Sequence, residues 1–145
     1  MNAKPPVNVR VTRRFNASPE RVFDAWLDPG MIGRWMFGPT LRDEEVTRIS
    51  LDARIGGSFS FVVRRQGEEF DHVGEYLEID RPRRLVFTWG IAQGDSSRVI
   101  IDIVSRKTGC ELTLTHELHP DWADYASRTQ AGWTKMLDAL AATLG

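Results

Sequence analysis

The segment from Asp121 to Leu144 constrains the fold more than any other stretch of this chain. It contains no proline after Pro120, and Gly145 offers a natural stop. Tyr125, Ala126, Thr129, Trp133, Met136, Leu137, Leu140 and Leu144 recur at spacings of three and four, which puts them on one helical face. Arg128, Gln130, Lys135 and Asp138 fall mostly elsewhere. A long helix with so bulky a stripe needs a large apolar surface to lie on.

The rest of the chain can supply that surface. VNVRVTRRF alternates, with Val7, Val9 and Val11 on one side, and reads as a half-buried strand after a frayed lead at Met1–Pro6. Ser18-Pro19-Glu20 is a helix start: a capping hydroxyl, a proline suited to the first turn and an acid at the positive end of the dipole. Val22, Phe23, Trp26 and Leu27 give this short helix its apolar face, and a second short helix is expected over Pro29–Trp35. From Leu41 onward strands are predicted at Glu44–Leu51, Ser58–Arg65, Phe70–Ile79, Arg84–Trp89, Arg98–Ser105 and Cys110–Leu118. Turn-forming residues separate them, including Gly56-Gly57, Gln66-Gly67, Gln93-Gly94-Asp95 and Thr108-Gly109. Short connections imply an antiparallel meander, so the chain is α+β: strand, two short helices, six strands, long helix.

Alternation assigns faces. Phe59, Phe61 and Val63 share one, as do Leu85, Phe87 and Trp89, and as do Leu112, Leu114, His116 and Leu118. The strand Phe70–Ile79 is ambiguous. Gly74 and Tyr76 would lie beside Trp89 and Phe87, yet Val73, Leu77 and Ile79 opposite them are apolar too, and a bulge would reconcile the two sets.

Composition narrows the function. Nineteen basic residues nearly cancel twenty acidic ones, and they are interspersed, which argues against a general nucleic-acid binder. No apolar run reaches the length of a membrane span, and the N-terminus lacks the apolar core of a signal peptide. Cys110 is the single cysteine, so no internal disulfide can form. The expectation is a cytoplasmic protein of one domain, residues 1–145.

Several motifs then fall into an order. They are Ala17-Ser18-Pro19-Glu20-Arg21-Val22-Phe23-Asp24-Ala25-Trp26 after the first strand, Trp35 followed by Gly38-Pro39, and Gly56-Gly57-Ser58-Phe59. Gly74-Glu75-Tyr76-Leu77-Glu78-Ile79 with Pro82 and Leu85-Val86-Phe87-Thr88-Trp89 come next, then Gly132-Trp133 with Leu137 and Leu140. This set resembles the SRPBCC superfamily, and within it the Aha1-like (activator of Hsp90 ATPase homologue) family of START/Bet v 1-like proteins. The resemblance implies a helix-grip fold: a curved antiparallel sheet of six to seven strands around the C-terminal helix, a cavity between them, and short helices closing one end. It also implies binding of hydrophobic small molecules, cyclase or hydrolase chemistry, or a co-chaperone role. Met36-Phe37 is a departure, since the family often has a second aromatic before Gly-Pro.

Within that arrangement the candidate ligand wall comprises Trp26, Trp35, Phe59, Phe61, His72, Tyr76, Phe87, Trp89, Leu114, His116, Trp133, Met136 and Leu137. Aromatic walls with few polar groups suit an apolar ligand, although the same rings can simply fill a core. Trp133, Met136 and Leu137 are expected at the wall, with Leu140 and Leu144 anchoring the helix. His116 is the sharpest polar candidate: it could bind a ligand carbonyl or transfer protons, or it could be a core histidine held by a neighbouring hydroxyl or backbone group. No catalytic residue beyond this candidate is assigned. His116, Glu117 and His119 do not converge on a metal, and no metal or cofactor is expected. Asp43-Glu44-Glu45 and Arg64-Arg65 read as solvated surface. Gly132 reads as a site of close helix–sheet approach.

Three functions remain open. The first is a module binding a hydrophobic or aromatic small molecule. The second is a cyclase, dehydratase or hydrolase using His116. The third is a co-chaperone or stress-related interaction protein. Exposed strand edges permit a homodimer.

Overall fold

The computed structural model describes residues 7–39, 41–92 and 96–145, so the expected lead at Met1–Pro6 and the turn at Gln93-Gly94-Asp95 lie outside the described residues. Strand β1 (Val7–Phe15) is followed by helices α1 (Pro19–Asp24) and α2 (Pro29–Trp35). Strands β2 (Glu45–Leu51), β3 (Ser58–Arg65), β4 (Glu68–Asp80), β5 (Arg84–Ile91), β6 (Ser96–Ser105) and β7 (Cys110–Leu118) follow. A 3-10 helix (Pro120–Tyr125) leads into α3 (Ala126–Leu144). The strands form one antiparallel sheet in the order β1-β7-β6-β5-β4-β3-β2. The expected α+β helix-grip arrangement is therefore the observed one.

Local chemistry accounts for the elements. Ser18 caps α1 by accepting the Arg21 N–H, and Asp28 caps α2 by accepting from Gly30 and Met31. Pro19 and Pro29 occupy first-turn positions where no N–H is missed. Gln66 and Gly67, both at positive φ, form the two-residue turn that joins β3 to β4 with the twist a hairpin needs. Strand β7 alternates without a fault, burying Cys110, Leu112, Leu114, His116 and Leu118.

The ambiguity in β4 is resolved by a bulge. The register with β5 shifts between Tyr76 and Glu78, which turns Leu77 outward, 41% exposed, and brings Ile79 back against the core. His72, Gly74 and Tyr76 thus share the inner face with Phe59, Phe61, Phe87 and Trp89.

Three sequence expectations need correction. The C-terminal element is not one helix from Asp121, because Trp122 leaves helical geometry (φ −103°, ψ 15°) and a 3-10 segment precedes α3. Pro120 with the His119 ring, which accepts the Asp121 N–H, starts that tighter turn. Tyr125 consequently faces outward, while Trp133, Leu137 and Leu140 are buried and Leu144 is half-buried.

Glu44 is the second correction. Its side chain is wholly buried, where Oε2 accepts from the Gly38 N–H at 2.9 Å and from Arg42 at 3.0 Å, and Arg65 lies 3.4 Å from Oε1. Gly38 sits at φ +111°, a conformation that turns its N–H toward the carboxylate and that glycine adopts at little cost. Lys135 on α3 donates to the Leu41 carbonyl, tying the same loop to the helix. The third is Gly132. A Cβ there would meet nothing within 4 Å, so no close helix–sheet approach requires this glycine.

Candidate functional site

The inner face of the sheet carries an aromatic layer. Phe59 and Phe61 stack with centroids 4.6 Å apart, and Phe59 meets Phe87 edge-on at 5.8 Å. Trp26 meets Trp35 edge-on at 4.6 Å, and Trp133 approaches Trp89 to 5.5 Å. Phe37 lies parallel to Trp89 at 6.4 Å and packs on His72 at 4.8 Å. Rings in such numbers fill the space between sheet and helix almost completely.

Among the described residues, a void of about 10 Å³ lies inside, bounded by Trp26, Met36, Phe59, Phe61, Tyr76, Leu85, Phe87 and Trp89. That is room for one water at most. Of the expected ligand wall, Trp26, Phe59, Phe61, Tyr76, Phe87 and Trp89 are brought together around this void. Trp35, Leu114 and Leu137 are each 0% exposed within the closed core, and Trp133 is 3% exposed. Met136 is half-buried against the same core. Met36 and Phe37, the departure after Trp35, are each 1% exposed and occupy space that smaller side chains would leave open.

The roomy cavity lies at the end of the grip, where β5, β6 and β7 meet the 3-10 helix and the start of α3. It has a volume of about 450 Å³ and is lined by Trp89, Gly90, Ile91, Ser96, Ser97, Leu118, His119, Trp122, Tyr125 and Thr129. Trp89 borders both this cavity and the inner void, and so forms the wall between them. Trp122 and Tyr125 are 45% and 44% exposed, and their rings lie 5.3 Å apart at the rim. A second depression of about 440 Å³, at the other end of α3, is lined by Arg13, Arg14, Asn16 and Thr108 among others and offers Phe15 as its aromatic surface.

A hydrogen-bonded chain runs behind the cavity. Trp133 Nε1 donates to His116 Nδ1 at 3.0 Å, and His116 Nε2 lies 2.5 Å from Ser97 Oγ. Ser97 Oγ in turn donates to the Trp89 carbonyl at 3.2 Å. The sheet sets these positions: Trp89 pairs with Ser97 across β5 and β6, and His116 pairs with Val99, two residues along the same face. An indole N–H can only donate, so Nδ1 must hold a lone pair and the neutral ring carries its proton on Nε2. Burial pushes the His116 pKa down to about 4, which keeps the ring neutral. His116 therefore presents a proton to Ser97. A histidine that activates a serine must instead accept one at that nitrogen. The geometry is that of a core histidine held by a hydroxyl and an indole.

His72 lies 3.1 Å through Nδ1 from the Phe61 carbonyl, and burial pushes its pKa down as well. Asp71 and Glu75 pair with Val62 and Ser58 and so lie on the outer face of the sheet, where Asp71 accepts from Ser60 at 2.6 Å. Burial holds the Cys110 thiol above its ordinary pKa, so the single cysteine is neutral. No group of three His, Cys, Asp or Glu residues placed to hold a metal occurs among the described residues.

Sequence reasoning missed Ser97, Trp122, Tyr125 and Thr129 as cavity residues. A signal for Ser97 existed: it continues the inward alternation of Val99, Ile101 and Ile103. Trp122 was hidden by the assumption of one unbroken helix.

A seven-stranded sheet gripping a C-terminal helix, with an apolar cavity at one open end, defines the class as helix-grip proteins of the START/Bet v 1-like type. Residues 16–145 match the family model described as activator of Hsp90 ATPase homolog 1-like protein, and the chain belongs to that family. Protein CV1439 from Chromobacterium violaceum is similar, with 26% identity, a TM-score of 0.83, and 94% of this chain and 95% of that one covered. A protein from Rhodobacter sphaeroides shares 20% identity with a TM-score of 0.84 over 99% of this chain and 96% of its own. The AHSA1-like protein from Aeromonas hydrophila shares 24% identity with a TM-score of 0.76 over 93% and 90%. No curated protein matches. Members of the family commonly bind hydrophobic ligands or act as co-chaperone regulators. No described helix is long and apolar enough to cross a membrane.

Proposed function

We propose that the protein binds a flat hydrophobic small molecule, aromatic in character, in the cavity between the ends of β5–β7 and the beginning of the C-terminal helical region. One observation carries this reading. The inner void is about 10 Å³, whereas the end cavity is about 450 Å³ and bears Trp89, Trp122 and Tyr125 on its walls. A volume of that size suits a small ligand, and half-exposed rings gain by being covered.

The reading moves the ligand outward from the centre of the grip, where the side chains already occupy the space. It favours binding over proton-transfer catalysis, because His116 is 4% exposed and its ring nitrogens are engaged by Trp133 and Ser97. Naphthalene is the test probe. Saturation-transfer NMR is expected to show it bound to the wild type, with at least a several-fold loss in Trp122→Ala. Absence of transfer to the wild-type protein, or an unchanged response in Trp122→Ala, overturns the reading.

A further inference from the structure

Resting on that reading of the cavity, we propose that its ligand carries a hydrogen-bond donor on the aromatic frame, a ring-borne O–H or N–H, and that Ser97 Oγ receives it.

Trp133 acts on the ligand site through two residues, His116 and Ser97. Its indole N–H fixes a lone pair on His116 Nδ1 at 3.0 Å, which leaves the imidazole proton on Nε2. That proton is directed at Ser97 Oγ, 2.5 Å away, so the oxygen accepts there. The one hydroxyl hydrogen of Ser97 goes to the Trp89 carbonyl at 3.2 Å. A serine oxygen has two lone pairs. His116 takes one, and no hydrogen bond among the described residues takes the other. Since Ser97 lines the cavity, the capacity left to it there is that of an acceptor.

A ligand donor completes this arrangement. A ligand ether or carbonyl oxygen would instead set lone pair against lone pair and leave both without a partner. The described lining residues include no Asp, Glu, Lys or Arg, so a neutral ligand is favoured over a carboxylate or an ammonium. Trp89, Trp122 and Tyr125 supply flat surfaces for an aromatic frame. The core histidine thus has an indirect use: with Trp133 it orients a serine and sets the polarity of the ligand that serine accepts. His116 is a positioning residue here.

The test compares 2-naphthol with 2-methoxynaphthalene by isothermal titration calorimetry. They share a frame and differ in whether the oxygen carries a proton. The wild type is expected to prefer the naphthol about tenfold, as loss of one hydrogen bond to a site with an unmet acceptor implies. In Ser97→Ala that preference is expected to fall to about twofold or less. Ser97→Cys, whose sulfur is a weak acceptor, serves as the second variant and should behave likewise if Ser97→Ala does not fold. Equal binding of the two compounds by the wild type, or a preference unchanged in the folded Ser97 variant, overturns the inference. Naphthalene separates the two readings. If it binds while naphthol shows no advantage, only the donor inference fails; if none of the three compounds binds, the cavity reading fails and takes the inference with it.

Discussion

The Trp133 indole donates to His116 Nδ1 at 3.0 Å, joining the C-terminal helix to the seventh strand through a buried polar contact. This bond requires a neutral imidazole, and protonation of His116 would set N–H against N–H. Its consequence is a stability that falls with acidification.

Burial lowers the folded-state pKa of His116 from 6.5 to about 4. Below 6.5 the unfolded chain takes up a proton that the folded chain refuses, so stability falls as pH falls and levels off below about 4. Above 6.5 the contribution is fully present. Its full size is about 3 kcal/mol. His72 is shifted in the same direction by burial and adds to the slope. Urea unfolding of wild type and His116→Gln between pH 7 and 5 checks this. The wild type's advantage over the variant is expected to shrink steadily with acidification, and a constant difference would contradict it.

Glu44 supports a second prediction. It gathers Gly38, Arg42 and Arg65 around one wholly buried carboxylate, so Glu44→Ala would strand a buried N–H and two cations. Arg42 and Arg65 keep partial access to water, which softens the loss. The expected cost is about 3 kcal/mol in denaturant unfolding, with Glu44→Gln losing about half of that because it can still accept from Gly38. A cost below about 1 kcal/mol for Glu44→Ala would show that the loop does not depend on this group.

Much of the fold could be read from the chain because its signals are local and repeated. Cys110–Leu118 alternates strictly and Ser58–Arg65 does so over Ser58–Phe61, and both strands occur at the expected bounds. Ser18-Pro19 and Asp28-Pro29 mark helix starts through caps that act within three residues. The bulge at Leu77 had a trace, two competing apolar sets, but its placement depends on pairing with Phe87 and Val86. Glu44 had none: its burial follows from where Gly38, Arg42 and Arg65 come together in space. The cavity was the hardest part. Alternation says which side chains face inward, but how completely Met36, Phe37 and the tryptophans fill the interior depends on three-dimensional packing.

Trp122 and Leu140 belong to the same C-terminal helical region yet should respond oppositely to truncation. Leu140 is 0% exposed in the core, and Leu140→Ala is expected to cost about 2–5 kcal/mol. Trp122 is 45% exposed at the cavity rim, so Trp122→Ala should change stability by no more than about 0.5 kcal/mol while weakening naphthalene binding. Chemical denaturation of both variants decides this. A large stability loss in Trp122→Ala would place that ring in the core instead of at a binding surface.

Two glycines make the contrast between crowded sheet and open helix face measurable. At Gly74 a Cβ would stand 1.9 Å from the Thr88 carbonyl oxygen and 2.5 Å from the Phe59 ring. Neither backbone nor a ring locked in the aromatic layer can yield that much, so Gly74→Ala is expected to cost several kcal/mol, about 3 or more, or to prevent folding. At Gly132 a Cβ would meet nothing within 4 Å, and the residue lies inside α3 at an ordinary helical φ. Gly132→Ala then removes backbone freedom from the unfolded chain without adding a clash, and should stabilise the protein by about 0.5–1 kcal/mol. Thermal unfolding of the two variants beside the wild type gives opposite shifts under this account. Destabilisation by Gly132→Ala would mean that the helix lies closer to a neighbouring surface than the structure places it.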